Sequence, residues 1–226
     1  NLSIHPAAAV FALMPQRVRG AAGIPQGYAI EEFHDEGLLM EGVFTPLDLG
    51  AASLTDLGPD FTHALERYDH LASFGFLVED EGRGVVRPGP YGRPLISYFV
   101  GRRDAARIQR GVALLTELFL TVGAERVLTQ VQGFDQVRDR EGLRALRAAR
   151  LRPRDFELTA YHPLGTARMG VDPRRSVVDA DQQAHDLPGL YVCDGSVLPS
   201  SPAVNPQITI MALATRAARR LADRLS

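Results

Sequence analysis

The chain has 226 residues, 45% of them hydrophobic and 23% charged, which allows one large domain or two small ones with a packed core. Its 25 basic and 27 acidic residues leave a formal net charge of −2, which argues against a protein whose affinity rests on a basic nucleic-acid surface. Every basic residue is Arg, so Schiff-base and P-loop lysines are excluded, and the single Cys193 excludes an intrachain disulfide and a Cys-based zinc cluster.

The Arg, Ala, Gly and Leu bias fits a GC-rich genome, and Trp is absent. No metal-ligand set is read from the sequence. The lone cysteine fits a reducing compartment, and a cytoplasmic location is the expectation. No run of about 18 apolar residues is present, so no membrane span is expected. The start, Asn1-Leu-Ser-Ile-His-Pro, has neither a signal peptide's charged and apolar regions nor an initiator Met; a processed chain or a piece of a longer one is expected.

The first stretch reads as strand and turn. Gly27 to Phe33 and Leu38 to Phe44 are β-prone and flank His34-Asp-Glu-Gly37, which predicts a hairpin. Pro46 to Gly58 reads as an irregular connection, and Pro59 to Leu71 as a helix with Pro in its first turn. Phe74 to Val78 and Gly84 to Arg87 predict a second hairpin around Glu79-Asp-Glu-Gly-Arg83. A rigid loop, Pro88 to Pro94, precedes a β-prone run from Leu95 to Val100.

Asp104 to Val122 has Ile108, Val112, Leu115, Phe119 and Val122 at three- and four-residue steps, the period of an amphipathic helix stopped by Gly123. Arg138 to Arg150 predicts a charged helix, and Phe156 to Tyr161 a strand. From Tyr161 the texture changes to crowded small residues, turns and apolar runs, so a boundary is placed near residue 157. Gly189 to Asp194 reads as a buried strand ending in an acid, and Pro206 to Leu225 as a long helix.

Three pieces of this last third carry chemistry: Tyr161-His-Pro-Leu-Gly-Thr-Ala-Arg-Met-Gly170, Leu190-Tyr-Val-Cys-Asp-Gly-Ser-Val-Leu-Pro199 and Val204-Asn-Pro-Gln-Ile-Thr-Ile-Met211. In the third, Asn205 suits an N-cap and Pro206 the first helical position, so the helix start offers free N–H groups and a positive dipole end. In the second, Asp194 at a strand end can accept hydrogen bonds from ligand hydroxyls. In the first, His162 sits on a stiff loop. Taken singly, each has an ordinary structural explanation: a solvated histidine, a turn, a helix cap. Together and in this order, within residues 161–211, they point to one site.

Residues 161–211 resemble the C-terminal signature of the glucose-methanol-choline (GMC) flavoprotein oxidoreductases: His-Pro-x-Gly-Thr/Gly near Met-Gly, then Leu-Tyr-Val-x-Asp-Gly-Ser, then Asn-Pro-x-x-Thr-Ile. Asn1-Leu-Ser-Ile-His-Pro resembles the family's Asn-Leu-x-x-His-Pro segment, while 20–157 resembles its substrate domain only in the order of elements. The resemblance implies His162 as the base that takes an alcohol's hydroxyl proton and Asn205 as the group that hydrogen-bonds the substrate oxygen. It implies FAD as hydride acceptor, with Asp194 and Gly195 toward its hydroxyl or pyrophosphate side. Asn205, Pro206, Gln207 and Ile208 would then lie near the flavin's pyrimidine edge. A helix N-terminus suits the negative charge that gathers there on reduction, and a histidine base suits proton abstraction at neutral pH.

This chain has Pro202-Ala203 where many relatives have Gly-Gly, which stiffens the loop but keeps Asn205 in register. It also lacks the Gly-x-Gly-x-x-Gly turn that receives the pyrophosphate. The expectation is therefore an α/β chain equivalent to the C-terminal half of the family. Residues 1–157 would form a substrate domain with an antiparallel sheet. Residues 158–226 would return to a Rossmann-like FAD domain whose other half lies upstream or in a separate chain.

The expected function is FAD-dependent oxidation of a primary or secondary alcohol. The alternatives are a cyanohydrin lyase on the same fold and a split or truncated half that needs a partner. Phe33, Leu39, Phe44, Phe74, Phe76, Tyr98 and Phe99 offer apolar material for a pocket, but are mostly read as core.

Overall fold

The computed structural model describes residues 1–225. They form two compact units, interleaved along the chain. One comprises Asn1–Pro6, Glu79–Gly101 and Ala160 onward; the other comprises Ala7–Val78 and Arg102–Thr159. Of the expected segments 1–157 and 158–226, the second lies almost wholly in the first of these units, joined there by 1–6 and 79–101.

The second unit is a six-stranded antiparallel sheet with helices. In chain order its elements are β1 (Ala7–Leu13), β2 (Ala29–Ile30), β3 (Leu38–Gly42), α1 (Leu47–Ala52), α2 (Pro59–Glu66), β4 (Leu71–Val78), α3 (Arg102–Thr121), β7 (Arg126–Leu128), β8 (Gln136–Val137) and α4 (Arg140–Ala148). The strand order is β2-β3-β4-β1-β7-β8. The two strands between β4 and α3 belong to the other unit and are described below.

β1 and β4 sit at the sheet's centre because both are almost continuously apolar and can be covered on both faces. Their register pairs Ala8 with Phe76 and Leu13 with Leu71. Leu13, Leu71 and Leu128, each almost fully buried, form a cluster with Phe11, Leu54 and Ala64. Each buried leucine contributes roughly 1.5–3 kcal/mol of transfer free energy.

The predicted β2–β3 hairpin is present, with Ile30 opposite Met40 and a 3-10 turn at His34–Glu36. α3 buries Ile108, Val112, Leu115 and Phe119, four of the five positions its periodicity marks; the fifth, Val122, lies just past its end and is exposed. α4 starts at its Asp139 cap, whose carboxylate accepts from the Gly142 N–H at 2.8 Å. Its last turn is closed by the Gln109 side-chain amide, which donates to the carbonyls of Leu146 (2.8 Å) and Ala149 (3.0 Å). Leu39 and Phe76 belong to the core rather than to an open pocket.

The second predicted hairpin does not form. β4 is already paired on both edges, with β1 and β3, so its carbonyls and N–H groups are used. The following strand, β5 (Val85–Pro88), instead pairs with β6 (Pro94–Ser97) across the rigid proline loop. The segment read as irregular contains the short helix α1. The expected strand at 156–161 is reduced to isolated bridges, Val131 with Phe156 and Ala7 with Thr159, the latter at the end of β1 that β7, paired only with Phe11–Leu13, leaves open.

The first unit holds the β5–β6 hairpin and the C-terminal helix α5 (Gln207–Leu225). Its middle, 160–206, is loops joined by single bridges and one 3-10 turn, Gly195–Val197. The buried strand expected at 189–194 is absent: Gly189, Leu190, Cys193 and Asp194 are exposed. One edge of the segment bonds to 182–184, through Val192 N–H to the Gln182 carbonyl and Ala184 N–H to the Leu190 carbonyl. Among the described residues nothing pairs with its other edge as a ladder. No described helix is long and apolar enough to cross a membrane.

Candidate active site

The site grows from backbone clamps around His162. Two residues after it, Leu164 and Ser3 exchange hydrogen bonds in both directions, N–H to carbonyl, at 2.8 and 2.9 Å. Between them Pro163 removes a rotatable φ, so the histidine is held on a short, stiff tether. Gly165 follows with φ +80°, and a Cβ there would lie 2.4 Å from the Asn1 carbonyl oxygen. Only glycine meets both the left-handed backbone and that approach.

The first piece then docks on the second: Ala167 N–H donates to the Ser196 carbonyl (3.0 Å) and Met169 N–H to the Val197 carbonyl (2.8 Å). The third piece meets them at Gly195. A Cβ at this position would stand 3.0 Å from a Leu164 methyl and 3.1 Å from the Ile210 δ-methyl. Residues far apart in the sequence thus close on one glycine, and the three motifs form one cluster.

Asp194 is exposed, and one carboxylate oxygen accepts from the Ser196 N–H at 2.8 Å, capping the 3-10 turn. Asn205, Gln207 and Ile208 are exposed, while Pro206 is buried. α5 begins at Gln207, and the Pro206 carbonyl accepts from the Ile210 N–H at 2.9 Å. The half-in cap position therefore falls on Pro206 and not on Asn205, because the cap is the residue whose carbonyl accepts the first helical bond. Ala203, just before, has φ +59° and is buried.

A residue to which the sequence reading gave no role stands beside His162. His5 is fully buried, its backbone is left-handed at φ +53°, and its ring centroid lies 5.4 Å from that of His162. Neither of its ring nitrogens has a hydrogen-bond partner among the described residues. Burial pushes the His5 imidazole down to about 4, the neighbouring His162 adds to the depression, and Asp80 opposes it. The available signal was its place in Asn1-Leu-Ser-Ile-His-Pro.

These residues fit a flavin's requirements. The start of a 19-residue helix presents exposed Gln207 and Ile208, with orphan N–H groups by helix geometry. Asp194 is open to solvent on the neighbouring piece.

Among solved structures, pyridoxine 4-oxidase from Mesorbium loti matches with a TM-score of 0.60 and 20% identity, over 97% of this chain and 42% of that one. A formate oxidase matches with a TM-score of 0.62 and 16% identity, over 97% of this chain and 46% of that one. Both likenesses concern the fold, mixed α/β.

The family model of the GMC oxidoreductases matches residues 81–214, more than half of the chain, and the chain belongs to that family. An uncharacterised GMC-type oxidoreductase of Mycobacterium tuberculosis is 34% identical over 215 residues, which is 95% of this chain and 34% of the relative. A long-chain-alcohol oxidase of Arabidopsis thaliana is 26% identical over 246 residues, 100% of this chain and 32% of the relative. The chain thus spans about a third of these relatives' length.

Proposed function

We propose that this chain supplies the catalytic side of an FAD-dependent enzyme that oxidises a primary or secondary alcohol, with His162 as base and Asn205 as its hydrogen-bonding partner. The observation that carries the reading is the closure of the three motifs on Gly195, with Leu164 and Ile210 against it. Family membership and the alcohol oxidase among the relatives support it.

In this reading FAD, when bound, supplies the acceptor for the hydride that leaves the alcohol carbon. His162 takes the hydroxyl proton at a ring nitrogen, and its clamped loop sets the direction of that transfer. The Asn205 side-chain amide donates to the substrate oxygen as negative charge grows there. Asp194 and Gly195 would hold hydroxyl or pyrophosphate-side groups of the cofactor. The helix start at Pro206, Gln207 and Ile208 would supply the N–H groups and positive dipole end that stabilise the negative charge of the reduced cofactor.

Residues 158–226 would then be the returning part of a flavin domain, and 1–157 would serve mainly the substrate. A flavin-binding half, upstream or separate, completes the unit. Its support is α5, which buries only Ala217 among its described residues and leaves Ile208 75% and Met211 56% exposed. An amphipathic helix with so little burial has an apolar side to be covered.

The test is kinetics of the flavin-loaded protein carrying His162→Ala. Flavin content is expected to hold while alcohol-dependent bleaching of the flavin slows by ~10²–10⁴-fold. Turnover unchanged by the substitution, or protein purified together with its flavin-binding half and devoid of flavin, overturns the proposal. Cyanohydrin cleavage without bleaching would favour the lyase.

A further inference from the structure

Asp80 has no part in the reading above. Its side chain is buried, with 3% of the residue exposed, yet its carboxylate accepts from three separate stretches of chain. Ile4 N–H donates to Oδ2 at 3.3 Å and the Tyr98 hydroxyl to the same oxygen at 2.6 Å; the Ser201 hydroxyl donates to Oδ1. A buried carboxylate is tolerated only where donors replace its water. Here the donors come from residues 76, 18 and 121 positions away, so the carboxylate holds three segments at one point.

Two of those segments lead to the candidate catalytic pair. Ile4 immediately precedes His5, the ring that packs against His162. Ser201, itself buried, stands four residues before Asn205, and the link runs through Pro202 and the left-handed Ala203. The main chain at Asp80 is itself braced, since the Arg83 guanidinium donates to the carbonyls of Asp80 (2.9 Å) and Gly82 (2.6 Å). The Tyr98 hydroxyl reaches the site because position 82 has no side chain: a Cβ there would lie 2.7 Å from that oxygen.

We propose that Asp80 is a positioning residue for His162 and Asn205, tying through Ser201 the loop that delivers Asn205 to the segment that backs His162. The proposal rests on the reading of those two residues as catalytic. Its physical content is a short lever: with Ser201 anchored and Pro202 limiting the next φ, Asn205 has little range of movement. A misplacement of about 1 Å in a reacting constellation can cost ~10²-fold in rate.

Asp80→Ala strands three donors, the Ser201 hydroxyl among them buried, and risks misfolding, so Ser201→Ala is the first variant, with hydrogen exchange as a readout independent of turnover. In Ser201→Ala the amides of Ala203, Val204 and Asn205 are expected to exchange ~10-fold faster or more. In the flavin-loaded protein kcat is expected to fall ~10-fold or more, with KM and flavin content nearly unchanged. Tyr98→Phe removes the other hydroxyl from Asp80 and is expected to leave exchange at 203–205 as in the parent. Unchanged exchange at 203–205 in Ser201→Ala, or equal acceleration in both variants, overturns the proposal. Retained turnover in His162→Ala would overturn the catalytic reading and not the tie, because exchange is read without turnover.

Discussion

The imidazole rings of His5 and His162 lie with centroids 5.4 Å apart and planes inclined by 42°. His5 is fully buried on a left-handed backbone just before Pro6, a position where local sterics favour an extended chain. It therefore acts as a neutral wedge behind His162: two imidazolium charges at this range, with one buried, repel and lack solvation.

Acid stability follows from that wedge. Folded His5 titrates near 4, against an ordinary value of 6.5. Between those values the unfolded chain binds a proton that the folded chain does not, so stability is present above about 6.5 and is lost as pH falls toward 4. At about 1.4 kcal/mol per pH unit, the loss across that window approaches ~3 kcal/mol. Urea denaturation across the window should show this slope, and His5→Phe should flatten it. An undiminished slope in His5→Phe would assign the effect to other groups.

Gly165→Ala should be severely destabilising. The new methyl must fit 2.4 Å from the Asn1 carbonyl oxygen on a backbone at φ +80°. The left-handed penalty of about 1–2 kcal/mol adds to overpacking of about 1–3 kcal/mol. Gly195→Ala, with contacts at 3.0 and 3.1 Å to side-chain methyls that can yield, should cost less. Thermal melts of the two variants check the order.

Ala203→Gly should stabilise the fold while loosening the loop. Ala203 sits at φ +59°, where an L-residue costs about 1 kcal/mol or more that glycine does not. Part of the gain is offset by the loss of a buried methyl and by the freer unfolded chain. The expected net change is a stabilisation below about 1 kcal/mol. A lower melting temperature would show that the Ala203 methyl packs better than its backbone is strained.

Asp181 joins α5 to the 179–183 loop. Arg220 pairs with it, as do Arg224 at 2.5 Å and Arg216 at 3.7 Å, all from successive turns of the helix. Surface pairs are individually weak, but three cations on one carboxylate act as a network. Asp181→Ala should cost ~1 kcal/mol at low salt, and the difference from the parent should shrink toward 1 M salt, where the screening length is ~3 Å. A salt-independent difference would point to packing instead.

Much of this protein is local information. The three- and four-residue spacing from Ile108 to Phe119 gives α3 and its buried face, because a helix presents every such position to one side. His34-Asp-Glu-Gly37 between two β-prone runs gives the β2–β3 hairpin. The three motifs from Tyr161 to Met211 carry the family resemblance, since they are short runs of fixed residues.

Other features are settled by competition between distant segments. Phe74 to Val78 reads equally well as a partner for 84–87, but β1 and β3 occupy both edges of β4, and a backbone edge can be paired only once. Leu190 to Cys193 has a buried strand's composition, yet composition cannot say whether a neighbouring edge is at hand. Asp80 stands within Glu79-Asp-Glu81, an acidic run that reads as a solvated turn, and only the tertiary structure brings Ser201 and Ile4 to its carboxylate. Sequence alone determined which faces are apolar and which short motifs are present. The tertiary structure decided which edges pair and which donors meet a buried carboxylate, because those outcomes depend on contacts between residues as much as 121 positions apart.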